Sequence, residues 1–104
     1  MTAEFAVAMP AVLLVLATAL GGVQLAALQL RLQDAAADAA RGLGRGDPRS
    51  TVEHRAQTQV PGAALTVTTP DDVVCARLTA APGWPTGLIG IRVEATSCAL
   101  DDVR

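Results

Sequence analysis

A long uncharged run near the start of the chain limits the folds it can adopt. No charged residue occurs from Phe5 to Leu30, and the stretch Phe5–Val23 contains nothing more polar than Thr18. An α-helix rises about 1.5 Å per residue, so roughly 20 residues cross a hydrocarbon layer of about 30 Å. Pro10 is compatible with such a helix, because membrane helices tolerate proline. The run predicts one transmembrane helix over Phe5–Val23.

A cleaved signal peptide is the alternative for the same run. Val12–Leu20 is long enough for its apolar part, and Ala17 and Ala19 are the small residues that cleavage needs. However, no basic region precedes the run, and Glu4 stands where lysine or arginine is expected. These features favour a helix that is retained in the membrane.

The pattern after the run indicates that the helix continues as a stalk to about Leu43. Apolar residues recur there at spacings of three and four, and charged residues do so on a different face. The apolar set is Leu25, Leu28, Leu32, Ala36, Ala39 and Leu43, and the charged set is Arg31, Asp34, Asp38, Arg41 and Arg45. Residues 1–45 therefore form a transmembrane and stalk segment.

A short second helix is expected after the glycines that end the stalk. Asp47 is predicted as its N-cap and Pro48 as its first residue, and the helix is expected to run to Gln59, before Pro61-Gly62.

Three stretches of β-forming residues follow, separated by turns rich in proline, glycine and aspartate. They are Ala63–Thr69, Val73–Ala80 and Ile89–Ser97. They predict an antiparallel meander whose apolar face is covered by the second helix or the stalk. The fold class is thus α+β, with residues 46–104 as a small domain outside the cytoplasm.

The two cysteines fit one register of this sheet. If Cys75 lies opposite Cys98, Arg77 faces Thr96, and the apolar residues of both strands share the other face. Two free thiols or half of a metal site remain alternatives, but His54 is the only histidine and no CxxC occurs. A disulfide is favoured, and no metal is expected.

Composition and motifs argue against several functions. The net charge is -2 and no basic block exists, which excludes nucleic acid as an expected partner. No phosphate loop, nucleophile elbow or metal triad occurs. We expect no enzyme activity and no cofactor.

The N-terminal residues resemble a known family. Thr2 to Pro10 (TAEFAVAMP), followed by aliphatic residues and the alanine-rich stretch Asp34 to Arg41 (DAAADAAR), are similar to the TadE-like proteins. These are minor pilins or pseudopilins of tight-adherence (Flp, type IVb) pilus systems, and the short actinobacterial members are most similar. The resemblance covers about the first 45 residues.

The resemblance implies an assembly role for Glu4 and Phe5. Family members are cleaved by a prepilin peptidase after a glycine and carry a glutamate at the fifth mature position, next to an aromatic residue. Glu4-Phe5 matches that pair, so Glu4 would neutralise the amino terminus of a neighbouring subunit in an apolar bundle. The implied partners are other pilin-like subunits and the pilus assembly machinery.

One departure from the family lies at the start of the sequence. The cleavage-site glycine and basic leader would lie upstream of Met1, and we expect the true start to be there. Without them the protein would remain an unprocessed membrane protein.

The resemblance leads to one main function and one alternative. The main one is a minor pilin or pseudopilin, anchored as a single-pass protein in the cell membrane and packed into a surface pilus through its helix. The alternative is a small binding module, membrane-anchored or secreted, in which the loop at Trp84 recognises a partner.

Overall fold

The architecture is that of a small α+β protein with one very long helix. A computed structural model describes residues 2–84 and 86–101. Residues 1, 85 and 102–104 belong to the two predicted segments, 1–45 and 46–104, but lie outside the described part. The elements in chain order are the helices α1 (Thr2–Arg45) and α2 (Arg49–Gln59), the strands β1 (Ala64–Thr68) and β2 (Val73–Ala80), a 3₁₀ helix (Thr86–Ile89) and the strand β3 (Val93–Leu100).

The helix α1 is continuous over 44 residues, as the uncharged run followed by an amphipathic pattern predicts. It determines the elongated shape of the chain, whose principal extents are 73 × 21 × 17 Å. The helix ends at Arg45, where Gly46 adopts a φ of 94°. The N–H groups of Gly46 and Asp47 donate to the carbonyl oxygens of Leu43 and Gly42, at 3.1 and 3.0 Å, which is a Schellman motif.

The sheet is an antiparallel meander in the order β1-β2-β3. Cys75 lies opposite Cys98, Arg77 opposite Thr96 and Thr79 opposite Glu94, so the predicted register is confirmed. One face is apolar and packs inward, while the other carries the cysteines and polar side chains.

The core lies between the apolar sheet face and the second half of α1. Leu32 of α1 and Leu78 of β2 are fully buried. Four alanines of α1 are buried in the same cluster, which α2 completes with two apolar side chains: Ala35, Ala36, Ala39, Ala40, Val52 and Ala56. Because alanine is small, the helix lies close to the sheet. The stalk therefore covers the apolar face of the sheet, which was one of the two arrangements predicted from the sequence.

The predicted limits of β3 are wrong. Ile89–Ser97 was expected, but Ile89 closes the 3₁₀ helix and the strand begins at Val93. Gly90 adopts a φ of 79°, and its N–H donates to the Gly87 carbonyl oxygen at 3.2 Å. This turn separates the apolar residues before it from the strand after it. The strand β1 is one residue shorter at each end than the predicted Ala63–Thr69.

The predicted N-cap of α2 is also wrong. Pro48 has an extended ψ of 140° and is itself the N-cap, with no side-chain capping bond. Its carbonyl oxygen accepts from the N–H groups of Thr51 and Val52, both at 3.1 Å. Asp47 lies one residue before the cap, and its carboxylate binds two arginines instead.

Candidate assembly and membrane surface

The first half of α1 projects from the domain as an exposed apolar surface. All residues from Thr2 to Leu20 are exposed. At about 1.5 Å per residue, this part of the helix is close to the roughly 30 Å thickness of a bilayer's hydrocarbon core. Among the described residues, α1 alone is long and apolar enough to cross a membrane. We call residues 2–23 the apolar half of α1.

Isolated soluble domains do not normally expose a surface of this kind. Large apolar side chains on the apolar half are between 45 and 74% exposed, and they occur on all sides of the helix: Phe5, Val7, Met9, Val12, Leu13, Leu14, Val15, Leu16, Leu20 and Val23. Contiguous exposed patches of this size mark membrane or protein contact sites. A helix that is apolar all round is typical of a lipid or bundle environment.

The backbone and side chains of the apolar half are suited to an environment without water. The hydroxyl of Thr18 donates to the carbonyl oxygen of Leu14 at 2.8 Å, so its polar group is satisfied within the helix. Pro10 lies inside the helix without ending it, and membrane helices tolerate such a proline.

Glu4 and Phe5, the predicted assembly residues, lie together near the tip of this helix. Glu4 is in the first turn, where a negative charge interacts favourably with the positive end of the helix dipole. Phe5 is 65% exposed. Within residues 2–84 and 86–101, no basic side chain forms an ion pair with Glu4. The nearest arginine in sequence is Arg31, roughly 40 Å further along the helix.

An apolar loop packs against α1 where its exposed part ends. This loop, described at residues 81–84 and 86–91, follows β2 and contains no charged residue; Arg92 comes after it, before β3 begins at Val93. The Gln24 side-chain amide donates to the carbonyl oxygens of Gly83 and Trp84 at 3.1 and 3.2 Å, and it accepts from the Thr86 hydroxyl. Thr86 is buried by this contact. Gln24 was not among the residues predicted from the sequence to have a role, although it is the first amide side chain after the apolar run.

A shallow groove of about 460 Å³ runs between the loop and the helix. Its walls are formed by two loop residues and five residues of α1: Thr86, Ile89, Ala17, Thr18, Gly21, Gly22 and Leu25. The loop thus reaches back beside the last turns of the apolar half. Trp84 and Leu88 point away from the core and are 80 and 76% exposed.

The predicted cysteine pair lies on the opposite face of the sheet from α1. The Sγ atoms of Cys75 and Cys98 are 2.00 Å apart, which is the distance of a disulfide bond. The same face carries an exposed ion pair in which Arg77 Nη1 lies 3.3 Å from Glu94 Oε1. The cysteines therefore link β2 to β3. They lie in the sheet, whereas Glu4 and Phe5 lie near the start of α1.

One charged cluster lies at the junction of α1 and α2. Asp47 Oδ2 accepts from Arg55 Nη2 at 2.7 Å and from Arg45 Nη2 at 3.2 Å. The hydrogen bond from Arg55, with a smaller contribution from Arg45, holds the pKa of the Asp47 carboxyl below its ordinary value. Arg45, Gly46 and Asp47 thus form the junction between α1 and α2.

The part of the chain that the structure describes contains no group of three histidine, cysteine, aspartate or glutamate residues that could hold a metal ion.

Comparison with known proteins adds no identification: no protein-family model, no curated protein and no solved structure matches this chain.

Proposed function

We propose that this chain is a minor pilin or pseudopilin that takes part in the assembly of a tight-adherence (Flp, type IVb) pilus. The apolar half of α1 anchors the subunit in the cell membrane and later packs among the helices of other subunits. The proposed role is structural and includes no catalysis.

The observation that carries the proposal is the division of one unbroken helix between two environments. Residues 2–20 of α1 are exposed and almost wholly apolar, while Leu32 to Ala40 supply the core of a small domain. A signal peptide is removed, so it does not need to continue as one rigid helix into the core of the domain. A subunit whose helix packs in a bundle does need such a rigid connection, because the helix then holds the domain in place. The rigid connection therefore favours an anchor that is also an assembly element.

Glu4 supports the same proposal through the resemblance to TadE-like proteins. A carboxylate near the end of an apolar helix is costly in hydrocarbon unless a cation pairs with it. None of the described residues of this chain supplies such a cation near Glu4. The amino terminus of a neighbouring subunit would do so and would set the axial register between the two helices.

The cysteine pair supports a domain outside the cytoplasm. Disulfides persist in oxidising compartments and are rare in the cytosol. We therefore place the domain on the extracytoplasmic side, with prepilin peptidase, pilin-like subunits and the assembly machinery as partners.

The test is the incorporation of a charge-neutral variant. Glu4→Gln should reach the membrane at the normal level but be lost from sheared pili and from the assembly complex. Glu53→Gln is the matched control, because it makes the same chemical change on α2, far from the helix tip, and should leave incorporation normal. Normal incorporation of Glu4→Gln or Glu4→Ala would contradict the proposal.

The alternative function, a small binding module, is favoured by a single observation. Trp84 is 80% exposed and belongs to an uncharged loop, as an aromatic anchor for a partner would be. Retention of full pilus assembly after deletion of the gene, together with capture of a soluble partner by Trp84, would favour this function over the pilin.

A further inference from the structure

We infer that the apolar loop is a second membrane contact that inserts Trp84, Leu88 and Ile89 into the interfacial layer of the bilayer crossed by α1. The inference rests on the proposed anchoring by α1 and goes beyond it by naming a lipid-binding surface on the domain. The domain would then lie on the bilayer before assembly, held at two points.

The depth of the loop is fixed by its contacts with α1. Gln24 binds the carbonyl oxygens of Gly83 and Trp84, so the start of the loop lies level with the end of the apolar run. Ile89 lines the groove together with Ala17 and Thr18. Ala17 precedes Gln24 by about 10 Å along the helix axis, so the groove beside the loop extends over the last turns of the apolar half. Amphipathic interfacial segments bury their apolar face to a similar depth of about 5–10 Å.

The composition of the loop suits the interfacial layer. Tryptophan is enriched at membrane interfaces, where its ring is apolar and its indole N–H can bond to water or headgroups. Leu88 and Ile89 are 76 and 72% exposed, and no charged residue occurs until the exposed Arg92, which follows the loop. Arginine at this position can bind headgroup phosphates.

The membrane is favoured over a protein as the occupant because of continuity with the helix. The groove walls include both the loop and the apolar half, so a molecule that fills the groove contacts Ile89 together with Ala17 and Gly21. If that part of α1 is in lipid, lipid also surrounds the loop beside it. A protein partner would have to displace lipid from the same place.

Intrinsic fluorescence tests the inference directly, because Trp84 is the only tryptophan and the chain has no tyrosine. The full chain is reconstituted at low density in phosphatidylcholine vesicles whose acyl chains carry bromine either near the headgroup or near the terminal methyl. We expect blue-shifted Trp84 emission, strongly quenched by the shallow bromine and weakly by the deep one.

Two controls in a Trp84→Phe background separate this inference from the anchor itself. Leu13→Trp, in the middle of the apolar half, should be quenched most by deep bromine, and Thr66→Trp, on the outer sheet face, should not be quenched. If Leu13→Trp is quenched while Trp84 emits as in water, the inference is overturned and the anchor stands. Blue-shifted emission that neither bromine quenches means burial by a second copy and also overturns it. If Leu13→Trp is unquenched, both proposals fail.

A pair of matched substitutions tests the role of the loop side chains. Leu88→Asp should red-shift Trp84 emission and reduce its quenching by shallow bromine. Leu100→Asp is the control, because Leu100 is similarly exposed at 71% but lies at the other end of the domain, beside Gly44. Equal quenching in Leu88→Asp and the unmodified protein would contradict insertion of the loop.

Discussion

Gln24 holds the backbone of Gly83, with its side-chain amide nitrogen 3.1 Å from the glycine carbonyl oxygen. These residues are 59 positions apart in the chain. The contact fixes the apolar loop to α1 at the level where the apolar run ends. It therefore sets how far the domain stands from the membrane in the proposed function.

Replacing Gln24 should loosen this loop without unfolding the domain. Gln24→Ala removes hydrogen bonds to Gly83, Trp84 and Thr86, for a local loss of about 1–2 kcal/mol. Hydrogen exchange at the amides of Gly87 and Gly90 should then be roughly tenfold faster, because local opening controls exchange there. Gln33→Ala, on an exposed position of the same helix, is the control. Equal exchange rates in both variants would show that Gln24 does not hold the loop.

The close approach of α1 to the end of β3 predicts a strong effect of a single methyl group. A Cβ atom at position 44 would lie 2.6 Å from the carbonyl oxygen of Leu100. Gly44→Ala should therefore lower the free energy of unfolding by about 1–3 kcal/mol, the usual cost of overpacking. Denaturant unfolding of the detergent-solubilised chain measures it. Gly22→Ala should show no loss, because nothing lies within 4 Å of the added atom; a similar loss in both would contradict close packing at Gly44.

The cysteine pair should contribute much of the stability of the domain. The bridge closes a loop with a sequence separation of 23 residues, and Cys75→Ala/Cys98→Ala should cost about 3 kcal/mol through the entropy of the unfolded chain. Thermal unfolding with and without reductant checks this value. Thr66→Ala/Thr96→Ala alters two exposed residues of the same face and is the control. Free alkylation of both thiols in protein from native membranes would contradict the disulfide.

The Asp47 cluster predicts a stability change in acid. Its folded pKa lies below the ordinary value of 3.8, so the ionised form is favoured in the folded protein. This contribution is fully present above the unfolded pKa and is lost as the pH falls through the folded pKa.

Asp47→Asn should accordingly be less stable than the unmodified protein near neutral pH and should approach it as the pH falls below 3.8. Melting temperatures across that range provide the measurement. Asp34→Asn makes the same chemical change at an exposed position of α1 and is the control. A difference for Asp47→Asn that does not change with pH would exclude the ion pairs as its cause.

The sequence predicts those parts of the fold that depend on periodic burial. The stalk stripe at Leu32, Ala36 and Ala39 was predicted because one helix face must be apolar to cover a sheet, and these residues are buried. The register of β2 and β3 was predicted because alternation and the cysteine pair both require it, and a shift of one residue would reverse the faces.

The errors concern tertiary contacts that override local preference. Ile89 and Ile91 have the composition of a strand, but Ile89 ends a 3₁₀ helix and the positive φ of Gly90 interrupts the stretch before β3 begins. Asp47 is a good N-cap residue, yet two guanidinium groups compete for its carboxylate, and charge-assisted bonds are the stronger ones. Gly44 is one of the glycines expected to end the stalk, but it lies inside α1, where its lack of a side chain allows the close approach of Leu100.

The mature N-terminus of the protein from native membranes tests the central claim most directly. Mass spectrometry of the intact protein and of its first peptide measures it. We expect a mature chain that retains the apolar half of α1 and starts just before the Glu4 segment, as prepilin peptidase would leave it. A mature chain that starts after Ala19 or near it would lack the helix proposed to anchor and assemble the subunit, and would contradict the proposed function.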